Sequence, residues 1–236
     1  MRRTLVSLAA ALVLGGCVVT PVPGPVAPSP ASQPATDRIS SANAVANFRT
    51  AVSRVEPVAE ALCRRERRGA NCDFLIRVDP NPRRPPNAFQ SLTGAGRPVL
   101  TFTRSLIADT RNIDEIAFVV AHEAAHHIED HIGQQRSSAA TGALIGSVIG
   151  AAVGADAATA EQLGRAGATV GARRFSRDHE LEADRLGTII AARAGFDPVR
   201  GAAYFQRIPD PGDRFLGTHP PNAQRIAIVR QTAAGL

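Results

Sequence analysis

The sequence predicts an α+β domain that is mainly helical, with a small sheet of three or four strands. Three observations lead there. Apolar residues recur at helical spacing along residues 43–68 and 112–131. Three short runs, at 73–78, 89–92 and 99–102, carry the apolar and β-branched residues of strands. Beyond residue 131 helical stretches recur at 172–194, 199–208 and 223–232, with no tandem repeat.

The first residues read as a targeting segment. Met1-Arg2-Arg3 is a short positive stretch, and residues 4–14 form an apolar run too short to span a bilayer. Leu14-Gly15-Gly16-Cys17 follows and resembles a bacterial lipobox. That resemblance implies a lipoprotein signal peptide over residues 1–16, cleaved before Cys17, with lipid on the Cys17 thiol and its new amine. Val18, not Asp, comes next, which by the bacterial sorting rule directs the product to the outer membrane, facing the periplasm. Residues 17–40 combine the lipidated Cys with a tether carrying proline at 21, 23, 25, 28, 30 and 34. Such a stretch has too little apolar surface for a core and reaches up to roughly 60 Å when extended. Residues 41–236 remain for one domain.

Within that domain, Val45, Phe48, Val52, Val55, Val58 and Leu62 define the stripe of the first helix, which Pro57 is expected to kink or interrupt. The four prolines between residues 79 and 86 make a loop after the first strand. The 99–102 strand is expected to offer an exposed edge. Asn112 is a plausible N-cap, and Glu115 completes a capping-box pair. Ile113, Ala117, Val120, Ala124 and Ile128 then form an apolar stripe, with Glu115, Val119, His122, His126 and Glu129 on the opposite face. This helix is expected to pack behind the sheet and present two histidines from its second face. Residues 141–155 are small and apolar, with Gly142, Gly146, Gly150 and Gly154 at every fourth position. A glycine ridge permits close helix packing, in protein or in membrane; the segment reads as a hairpin arm or a membrane-touching piece. Helices are expected at 172–194, 199–208 and 223–232, with a turn-rich loop at 209–222.

Composition narrows the function classes. The net charge is +6 and every basic residue is arginine. There is no Trp and one Tyr, and the densest basic run, Arg64, Arg65, Arg67 and Arg68, reads as a solvated helix face. A basic stripe with stacking aromatics is missing, which argues against nucleic-acid binding. With Cys17 lipidated, Cys63 and Cys72 are left as an even pair in an oxidising compartment, the setting for a disulfide.

The chemistry concentrates at His122-Glu123-x-x-His126. Histidines at i and i+4 lie about 40° apart on one helix face, so both imidazoles reach one ion. Glu123 between them is placed to take a proton from water activated by that ion. Zinc needs a third protein ligand and an open position. His179, Glu180, Glu182 and Asp184 are the nearest supply; Glu180 and Asp184 share a face, Glu182 points away from them, and spacing does not exclude His179. His127 and His131 read as polar-face or supporting residues.

The run Phe175 to Asp184 resembles the S-R-x-x-E-x-E-A-D motif of the HtpX-like (BepA-like) zinc metallopeptidases, the gluzincin family of the CAAX prenyl protease. The resemblance extends from about Asp73 to Arg230 and takes in Asn87-Ala88-Phe89, the motif helix, Ala194 to Pro198 and Thr218 to Ile226. Ala124-Ala125 stand where the family usually has Leu-Gly, which changes no ligand. The resemblance implies a zincin-like domain holding one zinc ion per chain, with His122, His126 and Glu180 as ligands and Asp184 supporting one of them. It also brings the loop bearing His219 near the metal, where His219 stabilises the tetrahedral intermediate or caps the zinc and holds the enzyme latent. Arg225 orders that loop or contacts the site. The expected activity is zinc-dependent hydrolysis of peptide bonds in misfolded or unassembled envelope proteins, a role in protein quality control. The alternatives are a latent protease acting as a chaperone or holdase, and a structural lipoprotein using the glycine ridge. BepA-like relatives carry a helical repeat arm after the protease domain, and none is expected before Leu236.

Overall fold

The computed structural model describes residues 40–174, 176–210 and 220–236, without the side chains of 173, 174 and 176. The signal segment, Cys17 and nearly all of the tether lie outside these residues, as does His219.

The domain is α+β, with eight α-helices, a 3-10 helix (Ala202–Gln206) and one three-stranded sheet among the described residues. Helix α1 (Ser41–Glu66) starts where the Ser40 side chain accepts from the Asn43 amide. It buries Ala44, Phe48, Ala51, Val55, Ala59, Leu62 and Cys63. The stripe is thus finished by small alanines, while Val45 faces solvent. Pro57 does not interrupt α1; burial of Val55 and Ala59 on either side outweighs the lost amide donor. Cys63 at its end is joined to Cys72 by a disulfide, which ties α1 to the chain entering the sheet.

Strands β1 (Leu75–Val78), β2 (Ala88–Leu92) and β3 (Pro98–Phe102) form a sheet of order β1-β3-β2. β1 runs parallel to β3, and β2 antiparallel to it. The expected free edge at 99–102 is therefore a correction: β3 is the central strand and buried at every position. Its apolar run, interrupted by Thr101 alone, is the pattern of a strand covered on both faces. The edge strands are β1 and β2.

Helix α2 (Arg104–Asp109) leads into α3 (Ile113–Ile128), which the Asn112 side chain caps at the Glu115 amide. The Glu115 carboxylate accepts instead from the Arg111 amide at 2.7 Å and from a two-pronged Arg207 guanidinium at 2.6 and 2.7 Å. α3 packs on α1 and the sheet with the expected stripe. Its second face, which presents the two histidines, is also enclosed, because α6 (Ser176–Arg193) and α7 (Pro198–Gly201) pack on it, with α8 (Asn222–Ala233) packed in turn on α6.

The chain leaves α3 through Asp130, in the left-handed region at φ 59°. α4 (His131–Ala152) and α5 (Ala157–Arg174) then form a helical hairpin. Gly142, Gly146 and Gly150 of α4 face Gly171, Gly167, Gly164 and Ala160 of α5, backbone against backbone. α5 answers the ridge with glycines of its own, but its stripe of small residues is too weakly hydrophobic to mark a helix. The outer side of α4 exposes Leu144, Ile145, Val148 and Ile149. No described helix is long and apolar enough to cross a membrane.

A β-carbon at Gly146 would overlap the Leu163 carbonyl oxygen. Gly146→Val is therefore expected to force the hairpin apart at a cost of about 1–3 kcal/mol. Limited proteolysis should then cut within α4 or α5 while the α1–α3 core resists; unchanged protection of the hairpin would contradict this packing.

Candidate metal centre

α3 and α6 touch closely at one point. A β-carbon at Gly187 would lie 3.0 Å from both the amide nitrogen and the α-carbon of His122, so glycine lets the two backbones meet there. Glu180, Asp184 and Gly187 stand at i, i+4 and i+7 on α6, so the face that meets α3 is also the face that carries both carboxylates. The sequence marks Gly187 by nothing but its i+7 spacing from Glu180.

This contact brings His122, His126 and Glu180 together, with ligand atoms all within 4.8 Å of one another. The two Nε2 atoms are 3.0 Å apart. Glu180 Oε2 lies 3.5 Å from His122 Nε2, and Oε1 lies 3.4 Å from His126 Nε2. Tetrahedral zinc with bonds of about 2.0–2.1 Å separates its ligand atoms by about 3.3 Å. Two imidazoles and a carboxylate at these spacings fit that ion and leave a fourth position open. His179 is not part of this group: its ring stacks on His131, centroids 4.3 Å apart.

Behind the three lies a charged support. Asp184, fully buried, places Oδ1 3.0 Å from His122 Nδ1. Arg225 on α8 grips the same carboxylate through Nε and Nη2, each at 2.7 Å, and comes within 3.4 Å of Glu180 Oε2. Its guanidinium also covers the Phe205 ring at 3.9 Å. Burial works against ionisation of Asp184, but Arg225 and His122 outweigh it and hold the carboxyl below its ordinary range. Glu182, turned away from the three, accepts from the His131 side at 3.1 Å. His127 is buried with Nε2 2.8 Å from the Asn71 carbonyl oxygen.

The site opens into a cleft of about 810 Å³. His122, Glu123, His126 and Glu180 line one part of it, and Ala88, Phe89 and Gln90 of edge strand β2 another. Glu123 is buried there, and desolvation raises its pKa against the pull of the His126 and His122 imidazoles. A carboxylate so placed is a stronger base than one in water.

The profile of Peptidase family M48 matches residues 53–233, most of the chain. The chain belongs to peptidase family M48. It is a metallopeptidase by family, and M48 peptidases are typically zinc-dependent. No curated protein matches the chain.

Burial opposes a charge on His122, but hydrogen bonds to Asp184 and Glu180 prevail and lift its pKa to about 9. Below that value the imidazole carries a proton that a metal must displace. Zinc binding at pH 7.5 is therefore expected to release about one proton from His122. Calorimetric titrations in buffers of different ionisation enthalpy measure this directly; binding heats independent of buffer would contradict it.

Proposed function

We propose that this M48 metallopeptidase is a zinc-dependent endopeptidase of the bacterial cell envelope, cleaving misfolded or unassembled envelope proteins. The observation that carries the hydrolytic reading is the convergence of His122, His126 and Glu180 beside the buried carboxylate of Glu123, in one open cleft. Bound zinc supplies a Lewis acid that acidifies water and polarises a peptide carbonyl. Glu123 takes the proton of the attacking water and passes it to the leaving amine. Asp184 holds His122 by Nδ1, which turns Nε2 toward the ion, and Arg225 holds Asp184 in turn. His219 stabilises the oxyanion or caps the metal, as the family resemblance implies.

An extended substrate segment adds to the β2 edge through backbone hydrogen bonds. Such binding reads the main chain, which suits clearance of unfolded proteins of many sequences. The envelope location rests on the Met1–Cys17 pattern, with the protein held to the outer membrane by lipid at Cys17. The exposed apolar face of α4 favours a second reading, in which the protein also holds unfolded chains without cutting them.

Purified wild type and Glu123→Gln are both expected to bind one zinc per chain. Wild type should cleave casein, and the variant should be slower by about 100-fold or more. Equal cleavage by both would remove Glu123 from the chemistry, and absence of zinc from both would end the metallopeptidase reading of this site.

A further inference from the structure

The two histidines of the metal centre are backed differently. His122 has Asp184 behind its Nδ1. Behind His126 stands another imidazole: His131 Nδ1 lies 2.8 Å from His126 Nδ1. On its far side, His131 Nε2 lies 3.1 Å from Glu182 Oε2. His131 is 5% exposed, and its ring lies nearly parallel to that of His179, at 12°.

An unbroken helix would not allow this. Residues at i and i+5 point about 140° apart around the axis, so His131 would face away from His126. The break at Asp130 turns the chain and sends His131 back toward the metal centre. Asp130 is the one non-glycine residue at positive φ among the described residues. Arg67 secures the turn, with Nη2 2.9 Å from Asp130 Oδ1 and Nη1 donating to the His127 carbonyl at 2.7 Å. Gly133 leaves the room that the Asp130 carboxylate occupies.

We infer that His131 and Glu182 are positioning residues for the metal site, forming a relay that fixes the tautomer and ring orientation of His126. This rests on the reading of His126 as a metal ligand through Nε2. A neutral imidazole has one donor and one acceptor nitrogen. With Nε2 of His126 committed to metal, its Nδ1 carries the proton and donates. His131 Nδ1 must then accept, so the proton of His131 sits on Nε2 and is donated to Glu182. Each link holds one proton and each fixes the next. Support of this kind behind a ligand histidine is worth about 10- to 100-fold in metal affinity.

The test uses the full chain, with zinc affinity measured by chelator competition for wild type, His131→Asn and His131→Phe. Asn keeps an acceptor oxygen near the place of Nδ1; Phe keeps the stacking on His179 and removes the acceptor. His131→Phe is expected to bind zinc about 10- to 100-fold more weakly, and Asn within about threefold of wild type. Equal affinity of Phe and wild type would show that His131 only fills space, and would overturn the relay. A second readout needs no variant. Two-bond proton–nitrogen NMR of the zinc-loaded wild type should show His131 protonated on Nε2 and His126 on Nδ1; His131 protonated on Nδ1 overturns the inference. Failure of wild type to bind zinc would instead overturn the metal reading itself, and the relay with it.

Discussion

The close contact of α3 and α6 is the constraint on which the site depends. At Gly187 the second helix comes up against the His122 backbone. A longer side chain there would move Glu180 away from two imidazoles that leave room for one ion. The contact also buries Asp184, which is tolerable because Arg225 meets it with two hydrogen bonds and His122 Nδ1 lies beside it. Removing the guanidinium would leave a carboxylate buried without its partner. The third element, α8, is thus fastened to the metal centre by charge, and Phe205 shields the pair from water.

The hairpin stands apart from this arrangement in its chemistry. The core around α3 is held by ordinary large side chains such as Phe102, Phe118 and Leu100. α4 and α5 instead meet mainly through glycines, with Leu163 the large side chain at Gly150, and leave Leu144, Ile145, Val148 and Ile149 facing outward. The chain passes through this hairpin between the two helices that carry His122, His126 and Glu180, and its first residue, His131, stands beside His126.

Much of the fold was legible because its signals are local. The stripe of α3, its Asn112 cap and the three strand segments follow from periodicity and capping chemistry within a few residues. Pairing order was not legible. The run at 98–102 has the composition of a good strand, but centre and edge differ only in what lies alongside, and β3 proved central. α5 went unseen because its contact face is glycine and alanine, which carry little hydrophobic signal. At the site, the spacing of His122, Glu123 and His126 and the family motif around Glu180 placed those residues on chemistry that the geometry gathers. The link of His131 to His126 was hidden because helical spacing sets them on different faces, and only the left-handed Asp130 reverses that. Helical spacing turns Glu182 away from Glu180 and Asp184, and gives no sign of its contact with His131.

Two imidazoles and the Glu180 carboxylate make up the proposed ligand set, and His179 stands outside it. X-ray absorption at the zinc edge of the loaded protein tests this most directly. Two imidazole scatterers are expected, with a third only where His219 caps the metal, and oxygen for the remaining ligands, all at about 2.0–2.2 Å. That pattern should lose zinc or change in Glu180→Ala and persist in His179→Ala. Three imidazoles in wild type, with one lost in His179→Ala, would contradict it.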